Sequence, residues 1–353
     1  MRPSIFPRLA AAVLAAISVG LPTGCEPPAA PSSLSTTRPV ASPRPPVLTV
    51  ETLLREYRPT LQDELDLHDP SDLQLLDGRL YILDRGNDRV AVADTFLNLV
   101  RRFGRRGEGP GELQAPFRMQ VLPSGRLAVA EIGNQRISVF TSQGRFVRSI
   151  PRATPHISAG AFDDTTYLVS GPGGRFGSGI VYGPSGVGRP FGPTGSPERD
   201  LGEITSDAAT RVWVGDEDLV ALTRAREGVI EVYDRAGRLH RLDTIPDDIR
   251  SRLQRRQRGL VESLESQGLR VLGYSMVKAP SATSRGELLL LLPLPDPFAL
   301  IYSPADGRFT RLMAPERPRV RQILRSASAG YLDGQTLYLT QDGGIAVFHV
   351  PDG

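Results

Sequence analysis

The sequence predicts an all-β fold built as a closed array of similar units. Three observations support this: an internal repeat, short period-2 strand patterns and a recurring turn. Residues 78–92 return as residues 125–139, shifted by 47 positions and without a gap. The identical positions in the first copy are Gly78, Arg79, Leu80, Gly86, Asn87, Arg89 and Val92. Self-similarity at a period between about 20 and 50 residues is typical of a stacked or radial array.

Each copy of the repeat has the pattern of two short strands joined by a tight turn. Apolar and β-branched residues alternate over four to six positions on both sides of a Gly-Asn pair, which favours β-strands. Because Gly and Asn tolerate positive φ best, we expect positive φ at Gly86 and Asn87 and at their counterparts Gly133 and Asn134. Four such strands in about 40 to 50 residues make one blade of a β-propeller.

The recurring turn allows the blades to be counted. In each copy an aromatic or small apolar residue leads into a polar turn, which we assign to the connection between the third and fourth strands of a blade. These turns start at Ala93, Phe140, Tyr182, Tyr233 and Tyr302. A sixth unit runs from Gln335 to Val350 and lacks its outer strand. The count predicts six blades, with seven as the alternative.

The segment 47–57 precedes the first blade and is the candidate for the missing strand. Hydrogen-bonded to the strand predicted at Ile345–Val350, it would close the ring and cover the exposed edge of the last blade. The predicted fold is therefore a six-bladed β-propeller. Its blades are four-stranded and antiparallel, an N-terminal strand closes the ring, and the domain occupies residues 48–353.

One inserted helix is predicted at about 247–268. Pro246 and Asp247 form a suitable start and Gly268 a suitable end. Apolar residues recur at near-helical spacing, at Ile249, Leu253, Leu260, Val261 and Leu264. The helix also carries Arg250, Arg252, Arg255, Arg256 and Arg258. We interpret these arginines as a solvated face, with a contact to anionic lipid or to a partner protein as the alternative.

Residues 1–24 have the features of a secretory signal peptide, with a basic start and then an apolar run from Leu9 to Leu21. The run is shorter than the roughly 20 residues of a membrane span. The ending Leu-Pro-Thr-Gly-Cys resembles the lipobox of bacterial lipoproteins, in which the cysteine is acylated. That cysteine is Cys25, the only one in the chain, whereas Pro22 departs from the pattern. The alternative is plain secretion with a free thiol.

Residues 25–47 are predicted to be a lipidated linker. Seven of the 22 residues from Glu26 to Val47 are proline, a composition that favours extended polyproline geometry over a packed core. At about 3.1 Å per residue, such a linker would hold a domain on the order of 70 Å from the membrane. The sequence therefore predicts a tether between an anchor and the propeller.

Three motifs in the first two blades resemble those of NHL-type six-bladed propellers. They are Asp84-x-x-Asn87-x-Arg89, Glu131-x-x-Asn134-x-Arg136 and the link from Phe103 to Leu113. More narrowly, the Gly-Pro-Gly-Glu sequence in that link resembles bacterial six-bladed propeller lipoproteins. The resemblance is specific over residues 72–150 and architectural beyond them. It implies a six-bladed fold, a binding role as in many members, and lyase or hydrolase activity as in a few relatives.

The polar residues of the repeat are the candidate site. A repeated motif usually serves the repeat itself, with the carboxylates and Asn bonding turn amides and Arg connecting neighbouring blades. The alternative is ligand binding, for which the candidates are Arg85, Asn87, Arg89, Asn134 and Arg136. Arg85 is the strongest of these, because its counterpart in the second copy is Ile132 and the repeat therefore does not need it.

Composition and motifs disfavour several classes of function. The formal net charge is +3, and the signal peptide contributes two of those charges; no basic block outside the inserted helix suits nucleic acid. The glycines at 104–111 lead into another strand, whereas a phosphate loop must open a helix. The four histidines show no paired ligand spacing. Calcium at 216–218 and zinc bound by distant histidines stay open, and we assign no metal ligand, cofactor or catalytic residue.

Together these observations favour a monomeric lipoprotein of the bacterial cell envelope. Its propeller would bind a protein or a small ligand through the loops at the mouth of the channel. The alternative is an exported propeller enzyme, a lyase or hydrolase, using the same mouth. The two hypotheses differ because an enzyme needs a convergent metal or acid–base set at that mouth, whereas a binding protein needs only a shaped surface.

Overall fold

The structure is a computed structural model. It describes residues 45–58, 64–151, 159–170, 179–185, 187–192, 210–215, 219–224, 227–268, 277–278, 280–341 and 343–351. The signal peptide, Cys25, nearly all of the linker, His156 and the candidate calcium segment 216–218 lie outside these residues.

The first three blades follow one another along the chain, after strands β1 (Val47–Thr49) and β2 (Thr52–Tyr57). Blade 1 consists of β3 (Pro70–Leu76), β4 (Arg79–Asp84), β5 (Arg89–Asp94) and β6 (Leu99–Phe103). Blade 2 consists of β7 (Pro116–Val121), β8 (Leu127–Glu131), β9 (Arg136–Phe140) and β10 (Phe146–Pro151). Blade 3 consists of β11 (Ala159–Ala161), β12 (Tyr167–Ser170), β13 (Gly179–Tyr182) and β14 (Gly188–Phe191).

The last three blades have the same order, with the innermost strand first. Blade 4 consists of β15 (Thr210–Val214), β16 (Leu219–Arg224), β17 (Val229–Asp234) and β18 (Leu239–Thr244). Blade 5 has β19 (Ser281–Ala282), β20 (Leu288–Leu291), β21 (Ala299–Tyr302) and β22 (Phe309–Met313). Blade 6 has β23 (Ala329–Asp333), β24 (Thr336–Gln341), β25 (Gly344–His349) and β2. The six-bladed prediction is confirmed, and all five recurring turns connect a third to a fourth strand.

The N-terminal segment closes the ring, although not as one strand. Strand β2 pairs antiparallel with β25 and completes blade 6, as expected, whereas β1 pairs parallel with β22 as a fifth strand of blade 5. The chain changes blades at one peptide step, since the Val50 amide donates to Met313 O and the Glu51 amide to His349 O, each at 3.0 Å. Val50 is fully buried between the two blades. Its burial there interrupts the single strand that the sequence predicts.

The hydrophobic core lies between the blades. Each of the six interfaces between neighbouring blades holds one cluster of buried apolar side chains, including the interface of blade 6 with blade 1. In that closing interface Tyr57 and Val347 pack against Leu73 and Ile82. The closed ring gives every blade a neighbour on both sides. Burying apolar area between these neighbours stabilises the fold by roughly 25 cal/mol per Å².

Two helices flank blade 5. Helix α1 (Asp247–Ser266) confirms the predicted insertion and connects blade 4 to blade 5. Helix α2 (Pro318–Ser326) connects blade 5 to blade 6 and is not predicted from the sequence, because nine residues give only a short periodic pattern. Its buried side chains, Val320, Ile323 and Leu324, fill the interface between those blades. Neither described helix combines the length and apolarity that a membrane span requires.

The repeated Gly-Asn turns correct one expectation. Positive φ falls on the residue after each pair, at Asp88 (51°) and Gln135 (48°). The glycines are needed for space instead. A Cβ at Gly86 would lie 2.2 Å from His68 O, and one at Gly133 would lie 2.6 Å from the nearest side-chain atom. Close packing against the preceding segment, rather than backbone conformation, therefore explains glycine in these turns.

Candidate functional site

The first copy of the polar motif fastens the segment that leads into blade 1. The Asp84 carboxylate is fully buried and accepts hydrogen bonds from His68 N (2.7 Å), Asn87 Nδ2 (2.8 Å) and Arg89 Nε (2.9 Å). Burial raises the pKa of Asp84, and these donors oppose that shift. Asn87 Nδ2 also donates to Asp66 O at 2.9 Å, and Arg89 donates to the same carbonyl. Asp84, Asn87 and Arg89 thus form a clasp around residues 65–68.

The second copy forms an equivalent clasp around the blade-to-blade link. Glu131, fully buried, accepts from Gln114 N at 3.0 Å and from three side chains at 2.6–3.0 Å. These side chains are Asn134, Arg136 and Ser138. The Arg136 guanidinium donates to the carbonyls of Glu108 (2.7 Å), Gly109 (2.9 Å) and Glu112 (2.7 Å). Asn134 Nδ2 donates to Gly107 O at 2.9 Å.

The two clasps account for the polar groups of four of the five candidate ligand residues. Asn87, Arg89, Asn134 and Arg136 donate to a clasp carboxylate and to backbone carbonyls of the adjoining segment. This geometry matches the interpretation in which the motif serves the repeat. Ligand binding by these residues stays a prediction.

Arg85 lies beside the first clasp and outside it. Its guanidinium pairs with the Asp69 carboxylate at 2.5 Å, and both side chains are about half exposed. Exposed ion pairs contribute about 0–1 kcal/mol to stability. Arg85 is therefore available to a ligand at little structural cost, in keeping with its absence from the second copy.

The clasps mark one face of the ring. Asp84 pairs with Pro70 and Glu131 with Pro116, so each clasp carboxylate lies level with the first residue of an innermost strand. All five candidate residues belong to these turns and therefore lie at the same end of blades 1 and 2. Arg118 lies two residues further along the inner strand β7. A second set of polar side chains therefore begins just below this face.

That second set lines a chamber on the propeller axis. The chamber has a volume of about 50 Å³ and is bounded by residues of blades 1 to 5. Its polar residues are Asp72, Gln74, Arg118, Gln120 and Ser281, and its apolar ones include Ala159 and Val214. Innermost strands with polar side chains therefore meet at the axis, whereas apolar side chains fill the space between blades.

Arg118 crosses the axis. Its Nη2 donates to Pro280 O at 2.5 Å, and its Nη1 lies 3.5 Å from Asp72 Oδ2. Arg118 belongs to blade 2 and Pro280 directly precedes blade 5, which stands opposite blade 2 in a ring of six. The side chain therefore connects opposite walls of the channel and narrows it at the level of the chamber.

Asp72 is the counter-ion of Arg118 and is almost fully buried. Its carboxylate accepts from Leu73 N and Met119 N, both at 2.9 Å. Burial raises the pKa of Asp72, while Arg118 and these amides act in the opposite direction. A buried carboxylate and a buried guanidinium side by side keep the chamber close to neutral while leaving it strongly polar.

Ser281 provides the clearest sign of an unmet interaction in this chamber. The residue is 5% exposed, and its Oγ has no hydrogen-bond partner among the described residues. Leaving a buried hydroxyl unpaired costs about 1–3 kcal/mol. Ser281 lines the same chamber as Arg118 and Gln74, whose side chains can both donate to and accept from a small polar group.

Reasoning from the repeat alone missed the chamber. In the strand pairing Asp72 lies opposite Leu83 and Arg118 opposite Ala130, and these two partners are equivalent in the repeat, so Asp72 and Arg118 are each other's counterparts. Both residues are departures from the repeat, the same signal that singled out Arg85. Applied to the innermost strands, that test would have included Asp72 and Arg118 among many other differing positions, and it could not have shown that Ser281 lines the same chamber.

The described histidines do not converge. His68 precedes blade 1, His240 lies on β18 and is 3.6 Å from Asp234, and His349 ends β25. Among the described residues, no group of three His, Cys, Asp or Glu side chains is placed to hold a metal ion.

Comparisons with known proteins show the fold. No protein-family profile matches the sequence. Virginiamycin B lyase from Staphylococcus aureus superimposes with a TM-score of 0.50 at 11% identity, over 84% of this chain and 98% of the lyase. A catalytically inactive variant of that lyase, solved with quinupristin, gives 0.51 at 10% identity, over 84% and 99% of the two chains. At such identities the likeness establishes the propeller architecture and nothing about activity.

Proposed function

We propose that this chain is an exported binding protein, anchored to a membrane through Cys25, whose propeller takes a small polar ligand into its axial chamber. The observation that carries the proposal is the buried hydroxyl of Ser281, which has no described partner and belongs to a residue that lines the chamber together with Arg118 and Gln74. Buried polar groups in folded proteins are nearly always hydrogen-bonded. A ligand that pairs with this hydroxyl would therefore recover a cost that the free protein bears.

The dimensions and charge of the chamber indicate the kind of group that fits. A volume of about 50 Å³ suits a few heavy atoms, so a ligand would insert one end and rest its remainder against the face that carries Arg85. Because Asp72 balances Arg118, the chamber favours a neutral hydrogen-bonding group such as a hydroxyl or amide over a free charge. Gln74 supplies both donor and acceptor atoms for such a group.

Anchoring is supported by sequence and by the way the chain enters the domain. The lipobox-like ending and nearly all of the proline-rich linker precede the described residues, which begin at Pro45. Strands β1 and β2 then fix the entering segment to two blades, so that a pull on the tether is shared by blades 5 and 6. Fractionation of bacteria that express the wild type or Cys25→Ser tests this: the wild type should be in membranes with an acylated N-terminus, and the variant should be released.

Ligand binding is tested by melting shifts over a panel of small sugars, amides and polyols. A compound that binds the chamber should raise the Tm of the wild type and lose that effect in Ser281→Leu, whose larger side chain fills the space. Thr223→Val is the matched control, because Thr223 Oγ1 is also buried without a described partner and does not line the chamber.

A compound that stabilises Ser281→Leu as strongly as the wild type would place the ligand elsewhere and contradict the proposal. Binding that Arg85→Ala weakens by several-fold would locate the remainder of the ligand at the clasp face. Turnover of the compound during the assay would favour the lyase or hydrolase hypothesis instead.

A further inference from the structure

Helix α1 begins inside the fold and ends outside it. Ile249 and Leu253 are fully buried between blades 4 and 5. Beyond Leu253 no residue of the helix is buried, and Leu260 is 37% exposed. The last three turns therefore stand away from the core that the first two turns help to form.

The exposed part carries a dense cluster of positive charge. Residues 250–258 contain five arginines, and residues 259–266 add two glutamates, which leaves +3. Arg250 pairs with Asp247 at 2.5 Å. Arg255, Arg256 and Arg258 are exposed, and none of them forms an ion pair with a described residue. Unpaired like charges repel one another across one or two helical turns, so an anionic surface would be favourable for them.

An apolar stripe continues along the same helix. Leu260, Val261 and Leu264 follow Leu253 at spacings of seven, eight and eleven residues, and so continue the face on which Leu253 is buried. All three are exposed or half-buried. Arginines combined with a partly exposed leucine stripe are typical of helices that lie in the interface of a bilayer.

The predicted tether enters the domain beside this helix. Arg311 on β22 donates its backbone amide to Pro46 O at 2.8 Å, and its Nη2 donates to Asp248 Oδ1 in the first turn of α1, also at 2.8 Å. One residue thus contacts both the start of the described chain and the base of the helix. Cys25 lies 21 residues before Pro46, so an acylated chain extended at about 3.1 Å per residue would keep the base of α1 within about 65 Å of the membrane, and a bent linker would let α1 reach the surface.

We propose that the segment of α1 from Arg252 to Leu264 docks on an anionic phospholipid bilayer. The arginines contact lipid phosphates, and Leu260, Val261 and Leu264 enter the headgroup boundary. The inference rests on the membrane anchoring proposed above and on no property of the axial chamber. Docking would orient the propeller on its tether rather than leave it free to rotate.

The test uses the mature chain from residue 25 with Cys25→Ser, so that acylation contributes nothing. Co-sedimentation with vesicles of phosphatidylglycerol and phosphatidylcholine should show binding that weakens as salt rises. Vesicles of phosphatidylcholine alone should bind far less. The triple variant Arg255→Gln, Arg256→Gln, Arg258→Gln should bind roughly a hundredfold more weakly, since each arginine near an anionic membrane contributes about one kcal/mol.

The matched control removes three exposed arginines from other blades, by Arg102→Gln, Arg145→Gln and Arg189→Gln. It has the same net charge as the α1 variant and should bind vesicles within about threefold of the parent. Equal weakening by both triples, or equal binding of the parent to neutral vesicles, would overturn the inference. Both triples should retain the parent's Tm and its ligand-induced melting shift, so that a failure here is separate from a failure of the binding proposal.

Discussion

Two buried hydroxyls, those of Ser281 and Thr223, have no hydrogen-bond partner among the described residues. They lie in different surroundings. Ser281 lines the axial chamber, whereas Thr223 is fully buried on β16 and does not line it. An unpaired buried hydroxyl thus occurs once on a residue that lines the chamber, where a ligand could pair with it, and once outside the chamber. Under the proposed function, only the cost at Ser281 serves ligand binding.

We predict that Ser281→Ala and Thr223→Val each raise the free energy of unfolding of the free protein by about 1 kcal/mol, because each removes an unpaired buried hydroxyl. Ser281→Ala should also weaken ligand binding, whereas Thr223→Val should leave it unchanged. Urea denaturation measures the first effect and melting shifts the second. Destabilisation by Ser281→Ala would mean that its hydroxyl is already satisfied.

Asp234 shows how a single turn responds to pH. Its carboxylate accepts from the Arg238 amide at 2.9 Å and pairs with the Arg238 guanidinium at 2.6 Å. The amide, and then that guanidinium, lower its pKa from 3.8 to about 2. A carboxyl whose pKa is lower in the folded than in the unfolded state stabilises the protein at pH values above the unfolded-state pKa. This contribution is lost as the pH falls through the folded-state pKa.

We therefore predict that Asp234→Asn makes stability less dependent on pH between about 4 and 2, because the variant has no proton to bind in the turn. Unfolding free energies measured across this range should fall more steeply for the wild type. Parallel curves for the two proteins would show that the turn does not hold the carboxylate in its ionised form.

At the scale of elements, the clasp is the unit that joins one blade to the next. Each clasp places a fully buried carboxylate under an Arg that is mostly buried, at 2.9–3.0 Å, and the Arg then reaches carbonyls of the adjoining segment. Both copies of the repeat make these contacts, because each holds the segment that leads into the next blade: residues 65–68 before blade 1 and the link between blades 1 and 2.

We predict that Arg136→Met lowers the free energy of unfolding by about 3–5 kcal/mol, since it removes the Arg136 cation from the buried Glu131 carboxylate. Arg85→Met is the matched control: it removes an exposed pair and should cost at most about 1 kcal/mol. Urea denaturation of both variants checks the difference. Similar small losses in the two would mean that the clasp does not hold the link.

At the scale of the whole molecule, ring closure depends on contacts between distant parts of the sequence. Strand β2 completes blade 6, strand β1 extends blade 5, and Arg118 connects blade 2 to the residue before blade 5 across the axis. The first two contacts close the perimeter of the ring, and the third braces its centre. The single cysteine leaves no disulfide for that purpose.

We predict that Arg118→Met destabilises the propeller by about 3–5 kcal/mol, because Asp72 would remain buried and unpaired. Adding Asp72→Asn should recover part of this loss, and a double-mutant cycle by urea denaturation measures the recovery. Additive losses in the double variant would show that the two side chains do not interact, and the chamber would then lack its internal charge balance.

The sequence by itself determined the class of fold, the six blades, the inserted helix and closure by the N-terminal segment. Those features follow from local periodicity and from repeated turns, which nearby residues encode. It did not determine the change of blade at Val50 or the short helix α2, because both depend on packing between blades 5 and 6.

The axial chamber was decided only by the tertiary structure. Asp72, Arg118 and Ser281 are far apart along the chain, and each is an ordinary polar residue in its own strand. They line one chamber because closing the ring brings the innermost strands of opposite blades to one axis. The repeat pointed instead to the clasps, since a pattern shared by blades reports what every blade needs. The residues that we propose to bind a ligand are ones that the repeat does not require.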